Sequence, residues 1–268
     1  MHSIKKMRNG EHPISSPEQN HLLSSLPAEV RARFAPHLRL VQLPLGQCLY
    51  ESGGELKHVL FPTNSVISLL YTMENGDSAE ISVVGNEGVL GIALFMGGES
   101  TPNRAVVQSA GSAYQLPGHI LKQEFHRHGD LHCLLLRYTQ SLMTQMAQTA
   151  VCNRHHSIEQ QLCRWLLLSL DRIPSNVLTM TQELIANMLG VRREGVAVAA
   201  GKLQKLGIIE YNRGKLTVLD RPRLEKISCE CYEVVKVECD RLLHYLPKAA
   251  CRSEFSKKSA IEETFFEH

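Results

Sequence analysis

Between about Leu40 and Gln115 short apolar runs alternate with turn residues. The stretches VQLPLGQCLYESGG, HVLFPTNSVISLLYTMENGDSAEISVVGNEG and RAVVQSAGSAYQL are cut by Gly, Pro, Asn and Asp at intervals of roughly ten residues. That spacing predicts short antiparallel strands, with a hairpin turn on Asn75-Gly76. An antiparallel barrel or roll is the expected product.

After Gly118 turn residues become rare and the period becomes helical. Leu131, Leu135, Tyr138, Leu142, Met146 and Thr149 recur in steps of four and three, which predicts a long helix over 130–153. Such a stripe serves either as a core face within one chain or as a seam against a second copy, and periodicity alone leaves both open. Ser157 with Gln160 forms a capping box before a second apolar helix that Pro174 ends.

The segment TQELIANMLGVRREGVAVAAGKLQKLGIIEYNRGKLTVLD then predicts two short helices, a tight turn at Gly190, and a small hairpin around Asn212-Arg213-Gly214. In this winged helix–turn–helix pattern Thr181 caps the first helix. Leu184, Ile185 and Leu189 face inward, and Ala186 lets the second helix cross closely. Val196, Ala199 or Ala200, and Leu203 hold the second helix, which ends at Gly207. Arg192, Arg193, Glu194, Ala197, Val198 and Lys202 are left pointing outward. A final helix is expected from just after Pro222 through RPRLEKISCECYEVVKVECDRLLHYL.

Charge sharpens this picture. The segment 153–223 holds 11 Lys+Arg against 6 Asp+Glu, a local excess of +5 in a chain of net +2. Three charges on the first turn of an otherwise apolar helix fit a recognition helix, whose first turn meets base edges in the major groove. An arginine fork donates to guanine O6 and N7, and a carboxylate accepts from cytosine N4. Arg192, Arg193 and Glu194 are therefore the candidate base-reading residues, with Thr181, Gln182, Lys202, Arg213 and Lys215 as candidate phosphate contacts.

The chain carries no nucleophile elbow, Walker A loop or zinc-hydrolase helix, so an enzyme is not expected. No stretch approaches the ~20 apolar residues of a membrane span, and the first twenty residues lack the apolar core of a secretory signal. A cytoplasmic protein with mostly reduced cysteines follows. None of the eight cysteines forms a CxxC pair. Cys229 and Cys231 are two apart on the expected last helix, where such positions point away from each other, so no metal site is expected. Cys133 and Cys152 are expected to pack as small apolar residues, with thiol oxidation the alternative.

Through these motifs the chain resembles the Crp/Fnr family of bacterial transcription regulators, over roughly 22–243. Arg193-Glu194, directly after Gly190-Val191-Arg192, match the family's base-reading pair, and Val198 stands where many members carry a further polar contact. The resemblance implies an α+β fold: a jelly-roll-like antiparallel β-roll over 20–126, a dimerisation helix over 127–155, a winged helix–turn–helix over 156–246 and a flexible tail over 247–268. It makes Leu131, Leu135, Tyr138, Leu142 and Met146 the seam of a homodimer that reads palindromic double-stranded DNA, with half-sites about 34 Å apart. RNA polymerase is the further partner it implies. In the roll, Val89, Gly91, Asn103 and Arg104 outline the candidate effector pocket. Val89 occupies the place of the family's ribose-binding glutamate, and Asn103-Arg104-Ala105 stands for its Arg-Ser-Ala, so a cyclic nucleotide is not expected. The clustered N-terminal cysteines of the iron–sulfur members are missing before Cys48, and neither haem nor an iron–sulfur cluster is expected.

Overall fold

The structure, a computed structural model, describes residues 16–243. The N-terminal twenty-residue reading therefore falls mostly, and the 247–268 tail wholly, outside the described residues. Two short helices, α1 (His21–Ser25) and α2 (Ala28–Phe34), lead into the strands β1 (Arg39–Leu43), β2 (Cys48–Tyr50), β3 (His58–Pro62), β4 (Val66–Thr72) and β5 (Ser78–Val84). A single-turn helix α3 (Ala93–Met96) precedes β6 (Arg104–Ser109) and β7 (Gly111–Pro117). The strands form two antiparallel sheets, β1-β7-β3 and β2-β6-β4-β5. Leu43, Leu60 and Ala113 of the first pack with Ile67, Leu69, Val84, Ala105 and Val107 of the second, so each sheet buries one face in the other. The Asn75-Gly76 turn joins β4 to β5, with Gly76 at φ +89°. This is the expected roll.

Helix α4 (Gly118–Phe125) leads to α5 (Asp130–His155), and the Ser157–Gln160 capping box starts α6 (Ile158–Leu170). Strand β8 (Val177–Thr179), α7 (Gln182–Leu189), α8 (Arg193–Lys205), β9 (Ile209–Asn212), β10 (Lys215–Val218), α9 (Arg221–Ile227) and α10 (Glu230–Leu243) complete the described residues. The expected single last helix is thus two helices, broken at Ser228-Cys229. Helix α10 runs back antiparallel along α5: Cys231 lies beside Cys152 at one end, and Leu242 and Leu243 pack with Leu131, Leu134 and Leu135 at the other.

That packing corrects the expected dimer seam. Leu131, Leu135, Tyr138 and Leu142 are at most 3% exposed, and Met146 is half-buried. They pack into the roll and α10 of their own chain. The tyrosine ring fills a niche left by Gly88, where a Cβ would lie 2.4 Å from its Oη. The face of α5 left in solvent is a neighbouring one, Leu136, Gln140, Met143, Ala147, Ala150 and Arg154, which again steps by four and three. Both stripes have heptad spacing, and burial assigns the inner one to the core.

Helix α6 is the element that joins the parts. Its residues Gln161–Leu170 are buried without a break, enclosed by the roll's β4–β6 face and by α8 and α9. The junction with the roll is polar and hydrogen-bonded. Ser68 Oγ lies 2.5 Å from Glu80 Oε2 and 3.0 Å from Gln108 Oε1, and Gln108 Nε2 donates to Ser169 Oγ at 2.7 Å. Just beyond α6, Arg172 Nε donates to Glu87 Oε1 at 2.7 Å and its Nη1 to the Leu168 carbonyl at 2.6 Å. Gly85 lies against the arginine stem, where a Cβ would come within 2.6 Å of Arg172 Cβ.

Burial raises the Glu80 carboxyl to about 7, against the partial relief of the Ser68 hydroxyl and the Arg164 charge. A raised carboxyl keeps its proton in the folded chain after the unfolded chain has lost it, so stability falls as pH rises from about 4.5 to about 7. Replacing Glu80 by Gln is expected to remove a loss on the order of 3 kcal/mol over that window. Denaturant unfolding of both proteins at pH values across that window checks it: the wild-type slope should flatten in Glu80→Gln.

Candidate nucleic-acid interface

The tight turn forms as its residues require. Thr181 Oγ1 accepts from the Leu184 N–H at 3.2 Å, capping α7. Gly190 ends α7 at φ +65°, a left-handed conformation open to glycine, and the Val191 N–H bonds back to the Ala186 carbonyl at 3.0 Å. Ile185, Ala186, Met188 and Leu189 are the buried positions of α7. Leu184, expected to face inward, is 41% exposed, and Met188 fills the space instead. In α8 the buried face is Val196, Ala199, Ala200 and Leu203, as the spacing predicts. Gly195 lets α8 come down onto α6, for a Cβ there would lie 2.6 Å from Ile158 Cδ1.

With that face buried, Arg192, Arg193, Glu194 and Val198 stand in solvent, Val198 at 61% exposure. Arg192 is the N-cap residue and Arg193 opens the helix, so both project from the end that carries the positive pole of the helix dipole. Lys202, one face further along, is held at 3.3 Å by Glu159 of α6. It is exposed, and this solvent-screened pair is weak enough to exchange for a phosphate.

The wing is a three-stranded sheet, β8-β10-β9, one strand more than the sequence pattern suggested. β9 and β10 pair as Asn212↔Lys215, leaving a two-residue turn of Arg213 and Gly214 with φ +49° and +77°. Two positive φ values define the type I′ hairpin turn. Asparagine or glycine suits the first of those positions better than arginine does, so the turn holds Arg213 in a conformation that costs on the order of 1 kcal/mol and presents its guanidinium at the wing tip. The wing is tied to the turn of the helices: the Met180 N–H donates to the Gly214 carbonyl at 2.7 Å, and Tyr211 Oη donates to the Met180 carbonyl at 2.7 Å. Thr181, Gln182, Arg193, Tyr211, Arg213 and Gly214 consequently line one open surface cleft. Three of the expected phosphate contacts and one expected base reader are brought together there. Tyr211 was not expected from the sequence, and its β-strand position beside the wing was the available signal. Lys215 is exposed one residue past the turn.

The roll holds a separate, small cavity of about 70 Å³ between the sheets and α5, lined by Tyr50, Leu69, Val89, Gly91, Asn103 and Leu142 among others. Val89, Gly91 and Asn103 of the expected effector pocket are among its lining residues. Arg104 is not part of the lining: its Nη2 pairs with Glu51 Oε1 at 3.3 Å. The cavity is far below the ~300 Å³ at which small-molecule sites begin, and its walls offer few polar atoms beyond Asn103, which accepts from Tyr50 Oη at 3.1 Å.

The cysteine reading needs correction. Cys229 lies in the break between α9 and α10, and Cys231 in the first turn of α10, so the two do not share a helical register. They come together with Cys152 and His156 at the end of α5. Cys48, Cys152, Cys163, Cys229, Cys231 and Cys239 carry free thiols.

A roll, a long helix and a winged helix–turn–helix thus follow one another in this chain. Residues 160–227 match the Crp-like helix-turn-helix domain, and the chain carries that domain. The fold as a whole is shared with Crp/Fnr regulators of known structure. One, from Eubacterium rectale, is 19% identical over 77% of this chain and 96% of its own, with a TM-score of 0.57. FixK2 from Bradyrhizobium japonicum is 15% identical over 72% and 98%, with a TM-score of 0.60, and a CRP-family regulator from Thermus thermophilus is 17% identical over 70% and 96%, at 0.59. Comparison with curated protein sequences finds no match. No helix among the described residues is long and apolar enough to cross a membrane.

Because Arg213 is held in a left-handed conformation, Arg213→Gly is expected to leave the fold equally stable or up to about 1 kcal/mol more stable. Thermal unfolding at constant pH checks it, and a loss of stability would mean that the arginine is held by contacts rather than strained.

Proposed function

We propose that the protein is a homodimeric transcription regulator that reads a palindromic operator in double-stranded DNA. The observation that carries this reading is the shared cleft in which Arg193, Arg213, Thr181 and Gln182 meet. Arg193 donates to a guanine and Glu194 accepts from a cytosine in the major groove, while Val198 packs on a thymine methyl. Thr181, Gln182, Lys202, Arg213 and Lys215 grip phosphates on either side. The chain works in the cytoplasm and contacts RNA polymerase once on DNA, without enzymatic turnover.

The dimer seam in this reading is the outer face of α5, where Leu136 and Met143 are 49% and 61% exposed and Ala147 and Ala150 allow close approach. The roll is the sensor. Its tight, apolar cavity touches Leu142 and Met146 of α5, so a small apolar ligand there would act directly on the helix that carries the seam. A population shift of α5 then changes the spacing of the two recognition helices.

Selection from a pool of random duplexes at low ionic strength tests the DNA reading. It should return an inverted repeat with half-sites one helical turn apart, and recovery of no preferred sequence would overturn it. Against the selected site, Arg193→Ala should lose about 1–3 kcal/mol and relax the preference at one guanine in each half-site, as measured by fluorescence anisotropy. Met143→Glu should leave the fold intact and shift the protein to monomer in sedimentation velocity, with the operator then bound far more weakly.

A further inference from the structure

Cys152 and His156 occupy the last turn of α5 and its cap, and Cys229 and Cys231 flank the start of α10. One ligand atom from each lies within 4.8 Å of every other. Cys152 Sγ and Cys229 Sγ are 3.5 Å apart, and Cys231 Sγ is 3.6 Å from His156 Nδ1. A tetrahedral zinc with Zn–S of about 2.3 Å and Zn–N of about 2.0–2.1 Å has S···S edges of about 3.8 Å and S···N edges of about 3.5 Å. The set therefore has the dimensions of a single metal ion. An iron–sulfur cluster spreads its cysteines over several irons and needs a wider cage.

Two further observations point to a cation. The imidazole presents Nδ1 to the sulfurs while its Nε2 lies 3.3 Å from Glu230 Oε2, the carboxylate–histidine arrangement that fixes a metal-ligating ring and raises its basicity. Close by, Arg164 is 4% exposed, donates Nη1 to Thr149 Oγ1 at 3.1 Å one turn before Cys152, and leaves Nε without a partner. Glu80, whose carboxyl burial raises to about 7, offsets that buried charge only in part, and three neutral thiols add nothing to it. Three thiolates, a neutral imidazole and Zn²⁺ carry a net charge of −1, which does offset it. Cys152, Cys229 and Cys231 are buried, so water is excluded.

We propose that Cys152, His156, Cys229 and Cys231 bind one zinc ion in a closed Cys₃His site that fastens the end of the long helix to the end of the winged domain. On binding, three thiol protons leave to solvent, three Zn–S bonds and one Zn–N bond form, and His156 keeps its proton on Nε2, shared with Glu230. All four positions are filled by the chain, so the ion is structural and has no open position for a substrate. It stands at Ser157, where α5 passes into α6, and therefore sets how the helix–turn–helix is carried on α5. The inference holds whether or not the cleft binds DNA.

The full chain, purified under reducing conditions from zinc-sufficient cells, is expected to hold one zinc per chain by plasma emission spectrometry, and Cys48→Ser to hold as much. Cys229→Ser and Cys231→Ser should each lose it. Cobalt(II) replacing the zinc should give the visible bands of a tetrahedral, thiolate-rich ion. Glu230→Gln, a surface change that spares the fold, should weaken zinc affinity about tenfold in competition with a chromophoric chelator. A metal-free chain whose cobalt(II) spectrum lacks thiolate bands would overturn the proposal, as would a Cys152–Cys229 disulfide in the chain as isolated, or zinc content unchanged by Cys229→Ser. If the serine variants fail to fold, the cobalt spectrum of the unaltered chain and the Glu230→Gln affinity decide.

Discussion

Arg172 emerges from the end of α6 into the roll, and there its guanidinium meets Glu87 with both side chains nearly out of water. Removing water from two charges is costly, and the pair is tolerable only because each has further partners: Arg172 donates to the Leu168 carbonyl and Glu87 accepts from the Gly85 N–H. Such a geometry is intolerant of sliding. Together with the Ser68–Glu80–Gln108–Ser169 chain of polar groups, it sets one register between the roll and the helix on which the winged domain is built.

Everything toward the open cleft inherits that register. Helix α6 is buried on all sides, so α8 lies against it at the approach set by Gly195 and Ile158. The exposed end of α8 then points Arg192 and Arg193 outward beside a wing whose tip is locked by the Gly214 and Tyr211 bonds to Met180. On the other side, α10 lies along α5 and brings the α9–α10 break to the end of the long helix. A signal in the roll and a metal at the α5–α6 junction would thus act on the same lever from its two ends.

Helix α8 and the turn before it were readable in the chain because they depend on local rules. A capping threonine, a left-handed glycine, and a 3.6-residue apolar period suffice to decide which side of α8 is buried, and the charged residues are what remains. The roll was readable for a similar reason, since alternation and Asn-Gly turns act between neighbours. The period of α5 told that the helix is long and striped, but it could not tell which stripe met what. Two faces with the same heptad spacing lie side by side on it, and only the presence of α10 and the roll buries Leu131, Leu135, Tyr138 and Leu142 rather than Leu136 and Met143.

The cysteines show the same division most sharply. Their number and the absence of CxxC pairs stand in the chain, as does the four-residue step from Cys152 to His156, the one local hint that both could serve a common site. Whether Cys229 and Cys231 diverge or converge depends on the helix break at Ser228, and their meeting with Cys152 depends on a return of the chain over some seventy residues. Sequence by itself determined most of the elements, the buried face of α8 and the charge at its tip, because those follow from interactions a few residues long. The tertiary structure alone decided which helix face is free, how small the roll's cavity is and which thiols lie together, because packing between distant segments has no periodic trace in the chain.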